Sequence, residues 1–429
     1  MGFLGFLLLA CLFYGQTLSL GWAITLEEAL RQAHTHNPSL DASRARARAV
    51  EKEIPMARSG FFPKARITGS AGSSKAAWVD SPLSGAAPSP ETLSFPRSVE
   101  LKIEQPLFDG GRAQGALTMA KAETAKAQAV VVSTERSILL EAVRAYVNVL
   151  RDQRLVALYR TYVHLTEEHH GSVRMRSSVG EATATDVAQT EAALAEAQGL
   201  LLEMEANLEG SRAFYQKVIG TPPVALEDVK KNFVRNLPTT EDDALKKGLA
   251  RHPDIQAAQK ALEVAYGKEV VARSDLAPSL MVSASLVHRH AVNTSQDSQS
   301  FGMVSGHLVI PIYDGGLGSA RTQQVREEVS QARFSLQAVY DDVRASIISA
   351  WVHYEALLKK QRTEAMRVDA NKRALRGTEE EEQAGQRTLL DTLNARREFL
   401  KAQSGLIGVE AQKTIAAYSL LSAVGEFSL

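Results

Sequence analysis

The sequence predicts a mainly α-helical protein that also carries membrane β-strands and is assembled from two copies of one half. Three observations lead there: motifs that return at a fixed offset, long stretches free of proline, and short runs of alternating polarity. The return comes first. His36-Asn37-Pro38-Ser39-Leu40 reappears as Arg251-His252-Pro253-Asp254-Ile255, Ala57-Arg58-Ser59 as Ala272-Arg273-Ser274, and Phe62-Pro63 as Ala277-Pro278, all at an offset of 215. Gln105-Pro106-Leu107-Phe108-Asp109-Gly110-Gly111 then reappears as Ile310-Pro311-Ile312-Tyr313-Asp314-Gly315-Gly316 at an offset of 205. Gly180, Thr183 and Asp186 keep that offset as Gly385, Thr388 and Asp391. A unit of about 200 residues is too long for a solenoid repeat and implies a duplicated half-protein. The change of offset falls between Pro63 and Pro106, where the first half carries a ten-residue insert.

Proline marks the helices by its absence. The prolines avoid 112–177, 184–219, 317–383 and 386–424, and each would cost about 3 kcal/mol inside a helix. Within 184–219 the stripe Val187, Thr190, Leu194, Ala197, Leu201, Met204, Leu208, Ser211, Tyr215, Val218 steps by three and four, a heptad seam. Segment 112–177 carries two stripes. One is Ile138, Ala142, Ala145, Val149, Val156, Tyr159, Val163; the other is Leu155, Leu158, Tyr162, Leu165. Two seams on one helix require two helical neighbours, and at 1.5 Å per residue such a helix reaches roughly 100 Å.

The strands lie between the helices. In Val99-Glu100-Leu101-Lys102-Ile103-Glu104 apolar and charged residues alternate strictly. Residues 65–70, Leu280 to Leu286, and Val304, Gly306, Leu308, Ile310 alternate more softly. Each run is about ten residues, the length of a tilted membrane-spanning strand, and the polar loops 74–96 and 289–299 join them as hairpins. Four strands cannot close a barrel, and open edges are not tolerated in lipid. Three chains would give twelve strands.

Bulk composition narrows the function. Lys+Arg and Asp+Glu balance at 49 each, so no bulk charge recruits nucleic acid. No segment after the N-terminus approaches 18 consecutive apolar residues, so no transmembrane helix is expected. Residues 1–23 read as a signal peptide: Phe3 to Phe13 is nearly all apolar and Gly21-Trp22-Ala23 fits a cleavage site, although no Lys or Arg precedes Arg31. Leu8-Leu9-Ala10-Cys11 also resembles a lipoprotein box. Cleavage after Ala23 would leave no cysteine, and with it no disulfide or thiol chemistry.

These residues together resemble the TolC-like outer-membrane efflux proteins, the outer membrane factor family. The resemblance rests on Thr25-Leu26-Glu27-Glu28-Ala29-Leu30 with His36-Asn37-Pro38, on the paired strand-to-helix junctions, and on two helix-hairpin turns. The junctions are centred on Pro106, Gly110, Gly111 and on Pro311, Gly315, Gly316; the turns are 179–186 and 384–391. It implies a homotrimer whose twelve-stranded outer-membrane β-barrel, four strands per chain, continues into a long α-helical periplasmic barrel. The chain then divides into a first repeat at 24–219 with hairpin 61–108, an equatorial segment at 220–242, a second repeat at 243–424 with hairpin 277–312, and a tail at 425–429. The implied function is the passive exit duct of a tripartite efflux or type I secretion system. Its partners would be outer-membrane lipid, a periplasmic adaptor (membrane fusion) protein and an inner-membrane pump of RND or ABC type, with no cofactor.

The resemblance also assigns residues. Val179, Gly180, Glu181, Ala384, Gly385 and Gln386 would form the adaptor-docking tip. Arg387 falls at the family's gating arginine, with Thr185 and Asp186 of the neighbouring helix pair as expected partners; its planar fork suits a carboxylate. Asp391 matches an acidic ring that favours cations. Asn394 replaces a second acid one turn on, and Glu382 replaces a tyrosine that commonly adds a gate hydrogen bond. Plainer readings stand beside these: Arg387 and Asp391 as an intrahelical pair, Glu379 to Glu382 as a solvated helix face, and Phe334, Trp351 and Tyr354 as packing. His288 and His290 read as surface residues. His164, His169 and His170 lack a carboxylate at helical spacing and do not read as a metal site. No nucleophile elbow, phosphate loop or His-Glu-x-x-His is present, so no enzyme is expected. A soluble periplasmic coiled-coil adaptor or scaffold is the alternative reading.

Overall fold

The structure, a computed structural model, describes residues 24–76, 92–229, 237–290 and 298–427. The expected signal peptide with Cys11, the centres of both hairpin loops, part of the equatorial segment and the last two residues lie outside the described residues. The chain opens with α1 (Leu26–His36), α2 (Pro38–Glu51) and α3 (Glu53–Arg58), then β1 (Lys64–Ala71), β2 (Ser74–Ala76), β3 (Thr92–Ser94) and β4 (Arg97–Phe108). Two long helices follow, α4 (Arg112–Ser178) and α5 (Ala184–Ile219). The remainder runs α6 (Glu241–Arg251), α7 (Pro253–Ser274), β5 (Ser279–His290), β6 (Ser298–Val309), α8 (Leu317–Gln383) and α9 (Leu389–Val424). Helices α4 and α8 each have 67 residues, and α5 and α9 each have 36.

Local chemistry sets the boundaries. Asn37 caps α2 by accepting from the Ser39 amide at 3.0 Å, with Pro38 in the first turn; His252 caps α7 through the Asp254 amide at 3.3 Å, again followed by proline. Proline suits that position because its missing N–H would be unpaired there anyway. The two Asp-Gly-Gly junctions work alike. Asp109 accepts from the Gly111 and Ala113 amides at 3.0 and 2.7 Å, and Asp314 from the Gly316 and Gly318 amides at 3.0 and 2.6 Å. Gly111 and Gly316 sit at φ +91° and +89°, a backbone region that side chains disfavour. The carboxylate thus covers orphan amides at the start of each long helix. Pro106 lies inside β4 beside a register shift, whereas Pro311 lies beyond the end of β6.

The four long strands form one antiparallel sheet in the order β1-β4-β5-β6. Loop 74–96 is not wholly irregular: β2 and β3 pair there as a small ribbon. In β4 the usual burial pattern is inverted. Val99, Leu101 and Ile103 are exposed, while Glu100, Lys102 and Glu104 on the other face of β4 are half-buried, Lys102 holding Glu104 at 2.7 Å. A half-buried soluble hairpin would do the reverse; an apolar outer band over a polar interior is the pattern of a membrane strand. Among the described residues no helix is long and apolar enough to cross a membrane.

The main apolar core lies midway along α4 and at the C-terminal ends of α5 and α9. Leu30 and Ala33 of α1, Val143 and Tyr146 of α4, Tyr215 of α5 and Tyr418 of α9 are buried together there. The Tyr146 hydroxyl lies 2.7 Å from the carbonyls of both Ile24 and Glu227, so it fastens the incoming chain and the equatorial segment to α4. A second cluster joins Ala244, Ile255, Val343, Ile347, Leu420 and Val424. Between Ile138 and Tyr159 the first predicted α4 stripe is buried at every position, and along α5 Thr190, Ala197, Leu208, Tyr215 and Val218 are buried. Trp351 and Tyr354 pack on the second cluster as expected. Phe334 does not: it is 76% exposed among the described residues.

Candidate functional site

The candidate site is the far end of the two helical hairpins, which the helix lengths carry away from the sheet. Each turn is closed by a left-handed glycine. After α4, the Gly180 amide donates to Ser177 O at 3.1 Å and the Glu181 amide to Arg176 O at 2.8 Å; after α8, the Gly385 amide donates to Glu382 O at 2.9 Å and the Gln386 amide to Glu381 O at 2.8 Å. Gly180 and Gly385 have φ +85° and +73°, so these are glycine-terminated helix ends of the Schellman type. Val179, Glu181, Ala384 and Gln386 are all exposed. The predicted docking residues therefore share one solvent-facing end.

The next helices start with reciprocal caps. The Asp186 carboxylate accepts from the Thr183 amide at 2.9 Å and its hydroxyl at 2.8 Å, while the Thr183 hydroxyl accepts from the Asp186 amide. Thr388 and Asp391 repeat this, with the carboxylate 3.1 Å from the Thr388 amide and 2.7 Å from its hydroxyl. These capping boxes move the start of α9 to Leu389, three residues later than the proline pattern gives. They were readable as Thr-x-x-Asp in both turns. Hydrogen bonds from the Thr183 amide and hydroxyl hold the Asp186 carboxyl below the usual carboxylate range; those from the Thr388 hydroxyl and amide do the same for Asp391.

Arg387 lies before α9, in the turn, so it forms no intrahelical pair with Asp391. Within one chain its Nε donates to Glu381 at 2.9 Å. Thr185 and Asn394 are exposed, and Arg397 donates to Asn394 at 3.3 Å. The acidic run is not a bare solvated face. Glu379 holds Arg396 at 2.8 Å, Glu380 holds Arg376 at 3.0 Å, Glu381 holds Arg387, and Glu382 is half-buried. Arg397 reaches from α9 to Glu196 on α5 at 3.2 Å, tying one hairpin to the other.

The histidines on α4 are corrected in one respect. His164 does have a carboxylate at helical spacing, Glu168 at 3.5 Å, but no group of three potential metal ligands occurs among the described residues. His170 bonds the buried Thr190 hydroxyl of α5 at 2.9 Å. His169 has a buried Nε2 with no partner; burial, then the Arg396 charge, push its pKa down against the pull of Glu382 and Glu379. On the sheet, His288 is exposed and bonds Ser300 at 2.8 Å, and His290 is exposed.

A sheet whose β4 exposes its apolar side chains, joined to helical hairpins about 100 Å long, has the form of a membrane-anchored, elongated transport protein. The model of the family "Outer membrane efflux protein" matches residues 29–221 and 244–426, and the chain belongs to that family. It is 31% identical over 405 residues to the outer membrane efflux protein BepC of Brucella suis, covering 94% of this chain and 86% of BepC. It is 24% identical to the outer membrane protein TolC of Vibrio cholerae, with 96% and 93% covered. Among solved structures, the CmeC outer membrane channel of Campylobacter jejuni superposes with a TM-score of 0.81 at 17% identity, covering 94% of this chain and 86% of that one. The protein is thus an outer-membrane efflux duct that extends into the periplasm, without enzymatic activity. The outer-membrane assignment sets the soluble scaffold aside.

Proposed function

We propose that three copies pool their strands into a closed twelve-stranded barrel, and that the chain's two halves arose by duplication and line the duct in alternation. The observation that carries this reading is the four-stranded sheet, with the apolar residues of β4 exposed and both edges, β1 and β6, unpaired among the described residues. Lipid does not tolerate open edges, so the strands must find further strands. The duct is passive: an inner-membrane pump of RND or ABC type supplies cargo and energy, and a periplasmic adaptor docks on Val179 to Glu181 and Ala384 to Gln386. In the closed trimer Arg387 exchanges Glu381 for Thr185 and Asp186 of the neighbouring helix pair. Exposed pairs of this kind contribute roughly 0–1 kcal/mol each, weak enough for a docked partner to break. Asp391 contributes a three-carboxylate ring that draws cations; with Asn394 one turn on, that preference is modest.

The assembly is tested by native mass measurement of protein extracted from outer membrane in detergent. Three copies are expected, and a monomer would remove the proposal.

A further inference from the structure

We propose that the end of the sheet remote from the helices carries a binding site for the phosphate of an outer-leaflet glycolipid, built from Arg97, His288 and His290. This rests on the reading of the sheet as the wall of a barrel in lipid, and goes further by naming a ligand and the side chains that hold it. The register sorts the four long strands into two faces, because cross-strand partners and every second residue along a strand point the same way. One face carries the rows Ala65, Ile103, Ala284, Val304 and Ile67, Leu101, Leu286, Gly302. The next two rows on that face are Gly69, Val99, His288, Ser300 and Ala71, Arg97, His290, Ser298. Every charged or imidazole side chain of this face thus falls in its last two rows, and none of them is acidic. Glu100 and Glu104 stand on the other face with Lys64, Arg66 and Lys102.

The basic rows lie where headgroups begin. β4 leads into α4 and β5 follows α7, so the helices leave from the Leu280 end of the sheet. The exposed aromatics Phe62, Phe108 and Tyr313 end or flank the strands there, as an interfacial girdle does. The helical part extends into the periplasm, so the Arg97 end belongs to the outer leaflet. At about 3.4 Å per residue and a tilt of about 40°, the chain climbs about 21 Å from Leu280 to His288 and about 26 Å to His290. The apolar band of a membrane barrel is about 25 Å tall.

Phosphate is the headgroup chemistry that these side chains fit. Arg97 offers a planar fork that takes phosphate by two parallel hydrogen bonds. It stands directly opposite His290, and His288 follows two residues along the same strand, about 7 Å away. An imidazole donates an N–H in either tautomer. The Nδ1 of His288 is held 2.8 Å from the Ser300 hydroxyl, which leaves Nε2 for a ligand. All three side chains are exposed, and Arg97 and His290 hold no ion pair or side-chain hydrogen bond among the described residues. The counter-charge for Arg97 then comes from lipid. Arg289 is the contrast: it points to the other face, its guanidinium 5.2 Å from the centre of the Phe301 ring.

Native mass spectrometry of the full-length protein, extracted from outer membrane in detergent and supplied with bis-phosphorylated lipid A, tests the site. Adducts should fall about tenfold with fully dephosphorylated lipid A, and by a similar factor in Arg97→Gln, since each change removes a charge-assisted pair. His288→Gln combined with His290→Gln should weaken them further, whereas Arg289→Gln should leave them intact. Inorganic phosphate in excess should not displace the lipid, whose acyl chains lie along the apolar rows; displacement would mean a site for soluble anions and overturn the lipid assignment. Equal adducts from both lipids, or equal loss in Arg289→Gln, would overturn the site. The same spectra count the copies. Trimers without phosphate-dependent adducts would end this proposal and leave the barrel standing, while monomers would remove the barrel and this inference with it.

Discussion

His169 sits where α4 meets α8 and α9 near the tip, with Glu379 and Glu382 of α8, Arg396 of α9 and Arg176 of its own helix as charged neighbours. Burial favours its neutral form, so the folded protein resists a proton that the unfolded chain accepts near the ordinary histidine pKa of about 6.5. Below that value the unfolded state binds more protons, and tip stability falls as pH drops through this window. The protection of the amides of residues 165–175, taken relative to the exchange rate of an unstructured peptide at the same pH, should therefore fall between about pH 7 and pH 5, the range over which histidine titrates. In His169→Leu that dependence should flatten; an unchanged slope would mean another group is responsible. None of this was legible in the sequence, because His169 differs from His164 and His170 only in what faces it from other helices. The caps at Thr183 and Thr388 were legible, since a capping box needs only its own four residues. The gate roles proposed for Arg387 and Asp391 could be suggested only through resemblance, since within the chain Arg387 pairs with Glu381 and Asp391 with Thr388.

At the scale of elements, what the sequence reveals depends on how local the cause is. Proline exclusion placed α5 and α8 at the residues observed and ended α4 within one residue. The β2–β3 ribbon was missed because three-residue strands carry too little periodicity to register. The equatorial core was missed as well: Ile24, Leu226 and Tyr146 meet only once the chain has travelled up α4 and back along α5. Tyr146 is the tie there, and burial raises its hydroxyl pKa well above that of a free tyrosine, so it remains a donor at any ordinary pH. Tyr146→Phe removes that donor, while the Ile24 carbonyl keeps the Glu227 amide at 3.1 Å, so the cost is that of a lost hydrogen bond, about 0.5–1.5 kcal/mol. The loss should appear as a lower thermal midpoint, with residues 24–30 exchanging faster than the tip. An unchanged midpoint would mean that water reaches those carbonyls and replaces the hydroxyl.

Across the whole molecule, the sheet and the tip divide the work. The sheet anchors the duct in lipid through an apolar outer face, and two helical hairpins carry the opening to a distant end that a partner can reach. Near the tip Arg397–Glu196 couples the hairpins inside one chain through a weak, exposed tie, whereas toward the other end of α9 Tyr418 is buried with α4 in the packed core. That arrangement suits a gate that is closed at rest and opened by contact. Single-channel conductance of the purified protein in planar bilayers, compared with Arg387→Ala, shows whether Arg387 holds the duct shut. Small, mostly closed currents are expected for the native protein. Arg387→Ala should conduct several-fold more and keep a cation preference, because the Asp391 ring is intact. A silent bilayer from both proteins would contradict the duct, and equal conductance from both would remove Arg387 from the gate.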